Sequence, residues 1–321
     1  MKEIRNIIYV NTVYTLLLSL IKNPKIEENL YFFNEDFYPD IMDNIENKII
    51  LKKYKNIKFK LIREVMVHFF LKKLKKYYSK ELDGISFYLQ DFLTYSQYFF
   101  NNFNCNFYLL EDGVGNYFLE KRQEKKGIYK KYIKKYIRME KINYPVLGIS
   151  DKISKIFLTG ILPIPKIIEN KVELLNINML WQELSSNEKD KIFKVFNLNF
   201  EELKKMLDEK DKILLITQPL SEDKFVTEKE KIEIYSKILK ERGIKKIYIK
   251  PHPRERTNYS NLLKEFEVEI ISKNFPAEFF MLVDSNFKKV ITIFSTAAYN
   301  LKNRYDVEII GIEKYPKLYI K

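Results

Sequence analysis

Cysteine is almost missing from the sequence: Cys105 is the only one in 321 residues. That excludes a disulfide framework and any Cys-rich zinc module, and it fits a reducing compartment. Histidine is nearly as scarce. His68 and His252 are the only two, too few for a multi-His metal site. Glycine, at 8 residues, and proline, at 10, are both low, so collagen-like and low-complexity architectures are excluded. No hydrophobic run reaches the ~18–20 residues that a membrane span needs. The longest, Ile7 to Ile21, is interrupted by Asn11 and Thr12, and no small-residue cleavage site of a signal peptide follows it. GxGxxG, a Walker loop, HExxH and an Asp-x-Asp metal–nucleotide motif are absent too. The last absence argues against a metal-chelated diphosphate donor.

What is present points to folded domains. Hydrophobic residues make up 46% and charged residues 31%, which supplies apolar material for real cores. At ~100–200 residues per domain the length suits two of ordinary size. The net charge is +14, with a pI near 9.3. Such an excess invites polyanions: nucleic acid, anionic lipid or an acidic substrate. Solvated surface lysine accounts for it equally well. No RRM, KH or zinc-finger signature accompanies the charge, and the Tyr and Phe are spread along the chain, so nucleic acid is not expected as a partner.

The pattern along the chain alternates strand and helix. Ile7 to Val10 reads as a strand, and Thr12 as the cap of a helix through Leu16 to Ile21. Further strands are expected at Lys48–Leu51, Ile85–Leu89, Asn106–Leu110 and Lys155–Leu158, with a helix over Leu61–Tyr77. The stretch 160–165, with Pro163 and Pro165, cannot be a helix interior and reads as a linker or a crossover. Alternation then restarts. Ser185 with Glu188, and Thr227 with Glu230, form capping-box patterns. Strands are expected at Ile213–Thr217, Ile244–Ile249, Val268–Ile271, Val290–Phe294 and Val307–Ile310. This is the signature of parallel α/β sheets. The expected domains are residues 1–160 and 185–321, with 161–184 as a linker.

In such sheets ligands bind beyond the carboxyl ends of the strands, so the residues that follow each strand carry the functional expectations. After Asn106–Leu110 come Glu111, Asp112 and Gly113: two adjacent carboxylates and a residue that permits a sharp turn. Mutual repulsion can raise one carboxylate toward general-base range; a polar turn ending a strand fits as well. After Ile244–Ile249 come Lys250, Pro251, His252, Pro253 and Arg254. Two prolines and two cations make a rigid, electropositive mount for an imidazole, suited to phosphate binding or proton donation. After Val290–Phe294 come Ser295 and Thr296, hydroxyls at a helix start, where phosphate or plain capping is served. Glu278 opens a further helix and can accept from ribose hydroxyls. His68 and Cys105 are assigned no chemistry.

Taken in order, Glu-Asp-Gly, His-Pro and the Ser/Thr pair resemble the bacterial sialyltransferases. The flanking sequence is similar to glycosyltransferase family 52, the lipooligosaccharide sialyltransferases. The likeness lies in Tyr108–Gly113 with Tyr117 downstream, in Lys250–Arg254, in Phe294–Thr296, and in the opening Ile8–Val10 with Thr12–Tyr14. It implies a GT-B fold of two Rossmann-like domains with the active site in the interdomain cleft. It also implies a CMP-sialic acid donor, inversion, no cofactor and no obligatory metal, and a galactose-terminated glycan as acceptor. Carried over, Asp112 would deprotonate the acceptor and His252 would serve the CMP phosphate as general acid or electrostatic stabiliser. Ser295 and Thr296 would bind that phosphate, Lys250 would lie near the cytosine with Pro253 on the same donor side, and Glu278 would hold the ribose. Glu111, Gly113 and Thr12 would shape the acceptor turn. The base stays open between Asp112 and Asp223, with Glu222 third. A UDP-sugar transferase of the same fold (glucosyl transfer, for example) is the alternative, and a basic nucleic-acid- or membrane-binding protein without catalysis the second. The basic segment Lys121 to Lys141, with Tyr129, Tyr132 and Tyr136 interleaved, reads as a solvated helix face or as a surface for anionic lipid. The expected location is the cytoplasm, with peripheral contact with the inner membrane and a homodimer left open.

Overall fold

The β-branched run at the start of the chain forms the strand β1 (Asn6–Val10), buried along nearly its whole length. In the computed structural model, which describes residues 3–53, 58–78, 84–119, 145–207, 212–259 and 263–315, β1 sits inside a seven-stranded sheet. Its other members are β2 (Asn29–Asn34), β3 (Lys48–Leu51), β4 (Ser86–Leu89), β5 (Asn106–Leu110), β6 (Ile153–Leu158) and β7 (Val172–Leu174), in the order β3-β2-β1-β4-β5-β6-β7. All six pairings are parallel. The order reverses between β1 and β4, so the ends of those two strands define the switch point where α/β sheets open a crevice.

Helix Val13–Lys22 follows β1 directly. Thr12 caps it, with Thr15 completing a reciprocal capping box. The sheet's core is aromatic: Phe32, Phe87, Phe99 and Phe107 are buried together, with the Phe87 and Phe99 rings 5.0 Å apart. Each such side chain contributes roughly 1.5–3 kcal/mol on burial.

The second sheet has five parallel strands, β8 (Lys212–Ile216), β9 (Lys246–Lys250), β10 (Glu267–Ile270), β11 (Phe287–Thr292) and β12 (Asp306–Ile309), ordered β10-β9-β8-β11-β12. Its switch point lies between β8 and β11. Both expected capping boxes are present, at Ser185 with Glu188 and at Thr227 with Glu230. Gly243, at φ +62°, closes helix Glu228–Glu241 in the left-handed conformation.

The domain boundary differs from the sequence expectation. The chain divides into units 3–197 and 198–315 among the described residues. Residues 161–184 are no linker: β7 pairs with β6, Ile156 opposite Val172, and helices Ile177–Glu183 and Ser186–Val195 pack on helix Val13–Lys22. The prolines at 163 and 165 mark a crossover inside the first unit. Asn197, at φ +53°, ends that unit, and its side chain is tied to Asn44 and to the Asp40 carbonyl.

Among the described residues no helix is long and apolar enough to cross a membrane. The basic segment 121–141 lies outside the described residues.

Candidate active site

In the first unit the predicted carboxylates leave β5 at its carboxyl end. Glu111 is fully buried and saturated with donors. It accepts from Tyr14 Oη (2.7 Å), Tyr117 Oη (2.6 Å), the Thr159 amide (2.7 Å) and Thr159 Oγ1 (2.8 Å). Thr159 follows β6 and Tyr14 belongs to helix Val13–Lys22, so Glu111 locks three elements together. Of the acceptor-and-turn role expected for Glu111, this geometry supplies the turn. Gly113, at φ +74°, takes a conformation that disfavours any side chain.

Asp112 is only half-buried, and its two oxygens are held apart. Thr12 Oγ1 donates to Oδ1 at 2.9 Å and Asn11 Nδ2 to Oδ2 at 3.2 Å. Both donors follow β1, and β4 separates β1 from β5, so these bonds reach across the carboxyl end of β4 at the switch point. The Asp112 carboxyl is held above the usual aspartate range. Burial is the cause, partly offset by the Thr12 and Asn11 hydrogen bonds. The repulsion from Glu111 that the sequence suggested is not what raises it.

Two more residues at the β4 end escaped the sequence reading. Asp91, buried, accepts from the Leu147 and Gly148 amides, each at 2.7 Å. Gln90, also buried, leaves its Oε1 without a partner among the described residues. The signal available in the sequence was their position directly after Leu89, at a strand's carboxyl end.

In the second unit the segment after β9 is a tightly fixed turn. The His252 amide donates to Glu255 Oε1 (3.1 Å), and the Glu255 amide donates back to the His252 carbonyl (2.9 Å). The Arg254 amide donates to His252 Nδ1 at 3.1 Å. A backbone N–H can only donate, so Nδ1 is the accepting nitrogen and the ring proton sits on Nε2. Burial, joined by the charges of Arg254 and Lys250, pushes the imidazole down to about 4. His252 is therefore a neutral ring presenting an Nε2–H donor at neutral pH.

Lys250 is buried, its ammonium 4.6 Å from the centre of the Phe275 ring. Burial brings it down to about 7, against the opposing charges of Glu278 and Glu255. Glu278, buried at the start of helix Phe279–Leu282, accepts from Asn300 Nδ2 at 3.0 Å. Asn300 belongs to helix Ala297–Leu301, which Ser295 and Thr296 precede. The Ser295 amide donates to Thr292 Oγ1 (3.2 Å), whose hydroxyl donates to the Ile216 carbonyl (2.8 Å). Thr296 sits at the N-cap without making the usual side-chain capping bond. Glu278 is thus tied through Asn300 to the helix that Ser295 and Thr296 precede, and by opposite charge to Lys250 at the end of β9. Pro253, half-buried, rides on the His252 turn.

Asp223 lies near His252 as well, but both its oxygens face the Arg254 guanidinium, Nη1 on Oδ1 and Nη2 on Oδ2, the latter at 2.9 Å. Glu222 is engaged by the Arg256 amide (2.7 Å) and the buried Lys231 ammonium (3.0 Å). Although desolvation works to raise it, those partners bring Glu222 down to about 2, a fixed anion rather than a base. Lys231 also escaped the sequence reading. Its signal was a lysine spaced four and seven residues before the buried Tyr235 and Ile238 of the same helix. Among the described residues no group of three or more His, Cys, Asp or Glu could hold a metal ion.

Comparison with known proteins bears on the family and the fold. A curated protein from Haemophilus influenzae, described as uncharacterized, is 33% identical over 262 residues, covering 82% of this chain and 78% of that protein. Two solved structures share the fold at low identity. One is a 2,6-sialyltransferase from Photobacterium sp. JT-ISH-224 in ternary complex with CMP and lactose. It has 12% identity and a TM-score of 0.62, with 98% of this chain and 75% of that chain covered. The other is the GT-B domain of a sialyltransferase from Photobacterium damselae. It has 10% identity and a TM-score of 0.57, with 92% and 87% covered. The fold is therefore of the GT-B type, as expected. The model of glycosyltransferase family 52 matches residues 27–315, and the chain belongs to that family.

Proposed function

We propose that the protein transfers sialic acid, with inversion, from CMP-sialic acid to a terminal galactoside of a lipooligosaccharide or similar glycan. The observation that carries this reading is the His252 turn, where a fixed Nε2–H donor stands beside Lys250 and Arg254 on a strand end. Membership of the family supports it, as does a fold shared with a sialyltransferase that holds CMP and lactose.

The chemistry asks for two things. The acceptor hydroxyl must lose its proton as its oxygen bonds the anomeric carbon. The bond from that carbon to the phosphate oxygen must break, with its electron pair leaving on CMP. Asp112 takes the proton in this reading; its position above the usual aspartate range makes it the better acceptor, and Asp223 is the second candidate. His252 Nε2–H, with the hydroxyls of Ser295 and Thr296, meets the charge that grows on the leaving phosphate. A neutral donor at this position stabilises charge without having to give up its proton. Lys250 and Glu278 hold the nucleoside. With cationic and hydrogen-bonding groups supplied by the chain, transfer is expected to persist in EDTA.

A thermal-shift panel of CMP, UDP, GDP and CMP-sialic acid tests the donor. A ligand at ~100 times its Kd adds about 2.7 kcal/mol to stability. CMP and CMP-sialic acid are expected to raise Tm. A shift with UDP and none with CMP would overturn the sialyl donor and leave a UDP-sugar transferase.

A further inference from the structure

Glu255 stands between two exposed arginines, Arg254 and Arg256, yet its side chain turns inward and is only 2% exposed. Burying a carboxylate is costly unless donors meet it. Here they do, and its two oxygens are used differently. Oε2 is the anchor: Thr217 Oγ1 donates to it at 3.0 Å, Tyr259 Oη donates as well, and the Lys231 ammonium lies 3.2 Å away. Oε1 accepts from the His252 amide at 3.1 Å. The Glu255 amide donates in return to the His252 carbonyl at 2.9 Å. A side chain three residues on thus reaches back to an amide, as in a capping box, and closes the turn from both directions.

Every group facing the two oxygens is a donor, and only a carboxylate accepts at both. An amide of the same shape fails in either orientation. With its oxygen toward Thr217, Tyr259 and Lys231, its NH2 faces the His252 N–H. Reversed, its NH2 faces an ammonium that can accept nothing. The charge at position 255 is therefore what lets one side chain hold an anchor and the His252 amide together. The imidazole depends on that turn. His252 Nδ1 accepts from the Arg254 amide at 3.1 Å only while the turn aims that N–H at it. The bond made by one ring nitrogen decides whether the other carries the proton.

We propose that Glu255 is a positioning residue: by holding the His252 amide it fixes the turn and keeps the ring proton on Nε2. Its value for transfer rests on the part proposed above for His252; the tautomer does not.

The test is Glu255→Gln in the full chain. The variant is expected to fold, because Lys231 keeps Glu222 at 3.0 Å and the Lys273 ammonium still holds the carbonyl of residue 255 at 2.6 Å. Nitrogen NMR of the imidazoles at neutral pH reads the tautomer directly. The chain has only two histidines, and a His68→Gln background leaves the His252 signals alone. In wild type the Nδ1 and Nε2 shifts should be widely separated; in Glu255→Gln they should converge as the proton exchanges between the two nitrogens. With CMP-sialic acid, kcat should fall roughly 10²-fold with KM little changed. Glu255→Asp keeps the charge and both acceptors, and should stand between wild type and Glu255→Gln in both readouts. Tyr259→Phe removes an anchor on Oε2 alone; it should lower stability and leave the two shifts in place. Wild-type shifts in Glu255→Gln would overturn the proposal, as would an equal convergence in Tyr259→Phe. Converging shifts with unchanged kcat would uphold the positioning and count against the part of His252 in transfer.

Discussion

Lys231 and Glu255 form an ion pair at 3.2 Å in which both side chains are buried. The ammonium also reaches Glu222 Oε2 at 3.0 Å and Thr257 Oγ1 at 2.8 Å. It thereby joins the segment after β8 to the segment after β9. Glu255 in turn accepts from Thr217 Oγ1 (3.0 Å), from Tyr259 Oη and from the His252 amide. The His252 turn is thus held in place by a buried cation two contacts away.

Lys231→Met leaves two carboxylates without their shared cation. Removing one partner of a buried pair costs about 3–5 kcal/mol, and a matching loss of stability is expected in denaturant unfolding. Because the lost support lies under the His252 turn, kcat should fall while the CMP-induced thermal shift, measured in the folded fraction, survives. Stability within ~1 kcal/mol of wild type would show that the pair carries no such load.

His252→Ala removes the Nε2–H donor. Loss of one such donor typically costs ~2.7–4 kcal/mol of barrier, a drop of roughly 10²–10³ in kcat. Steady-state transfer from CMP-sialic acid measures it, and near wild-type turnover would sink the assignment. NMR titration gives a second check. The free ring should titrate near 4, and binding of CMP should raise that value, since a phosphate dianion favours the imidazolium.

The two base candidates separate by substitution. Asp112→Asn keeps the shape while abolishing proton acceptance, and a kcat loss of ~10²–10⁴ is expected. Asp223→Asn breaks a largely exposed pair with Arg254, worth at most ~1 kcal/mol in stability, and should leave kcat within a few-fold of wild type. The reverse result would move the base to the second unit.

Strand positions were legible where β-branched runs stand between polar breaks. β3 and β5 lie where the sequence placed them. β2 was not legible. Its run Leu30–Phe33 is buried on both faces, so nothing alternates, and an unbroken apolar tetrapeptide has no period to read. β7 is three residues long behind two prolines, and its place in the first sheet depends on pairing with β6. For the candidate site, the rule of looking to strand ends singled out Asp112, His252 and Ser295 beyond their strands and Lys250 as the last residue of β9. It could not locate Asn11, which meets Asp112 from 101 residues away, or Asn300, which meets Glu278 from 22. Partners of that kind are set by tertiary structure, and no local pattern encodes them.

Asp91 offers a pH-dependent test of the first unit. Burial lifts its carboxyl from 3.8 to about 6, against the hydrogen bonds from the Gly148 and Leu147 amides. In the unfolded chain the group ionises near its ordinary value. Between those values the native state holds more protons than the unfolded state, so stability falls as pH rises. The stabilising contribution of the protonated form is complete below about pH 4 and gone above about pH 6, a change on the order of 3 kcal/mol. Asp91→Asn cannot titrate. Its stability deficit relative to wild type should therefore be largest at the acid end of that window and shrink by about that amount at the neutral end. Denaturant midpoints of both proteins across the window measure the difference, and a deficit that stays constant with pH would place the titrating carboxyl elsewhere.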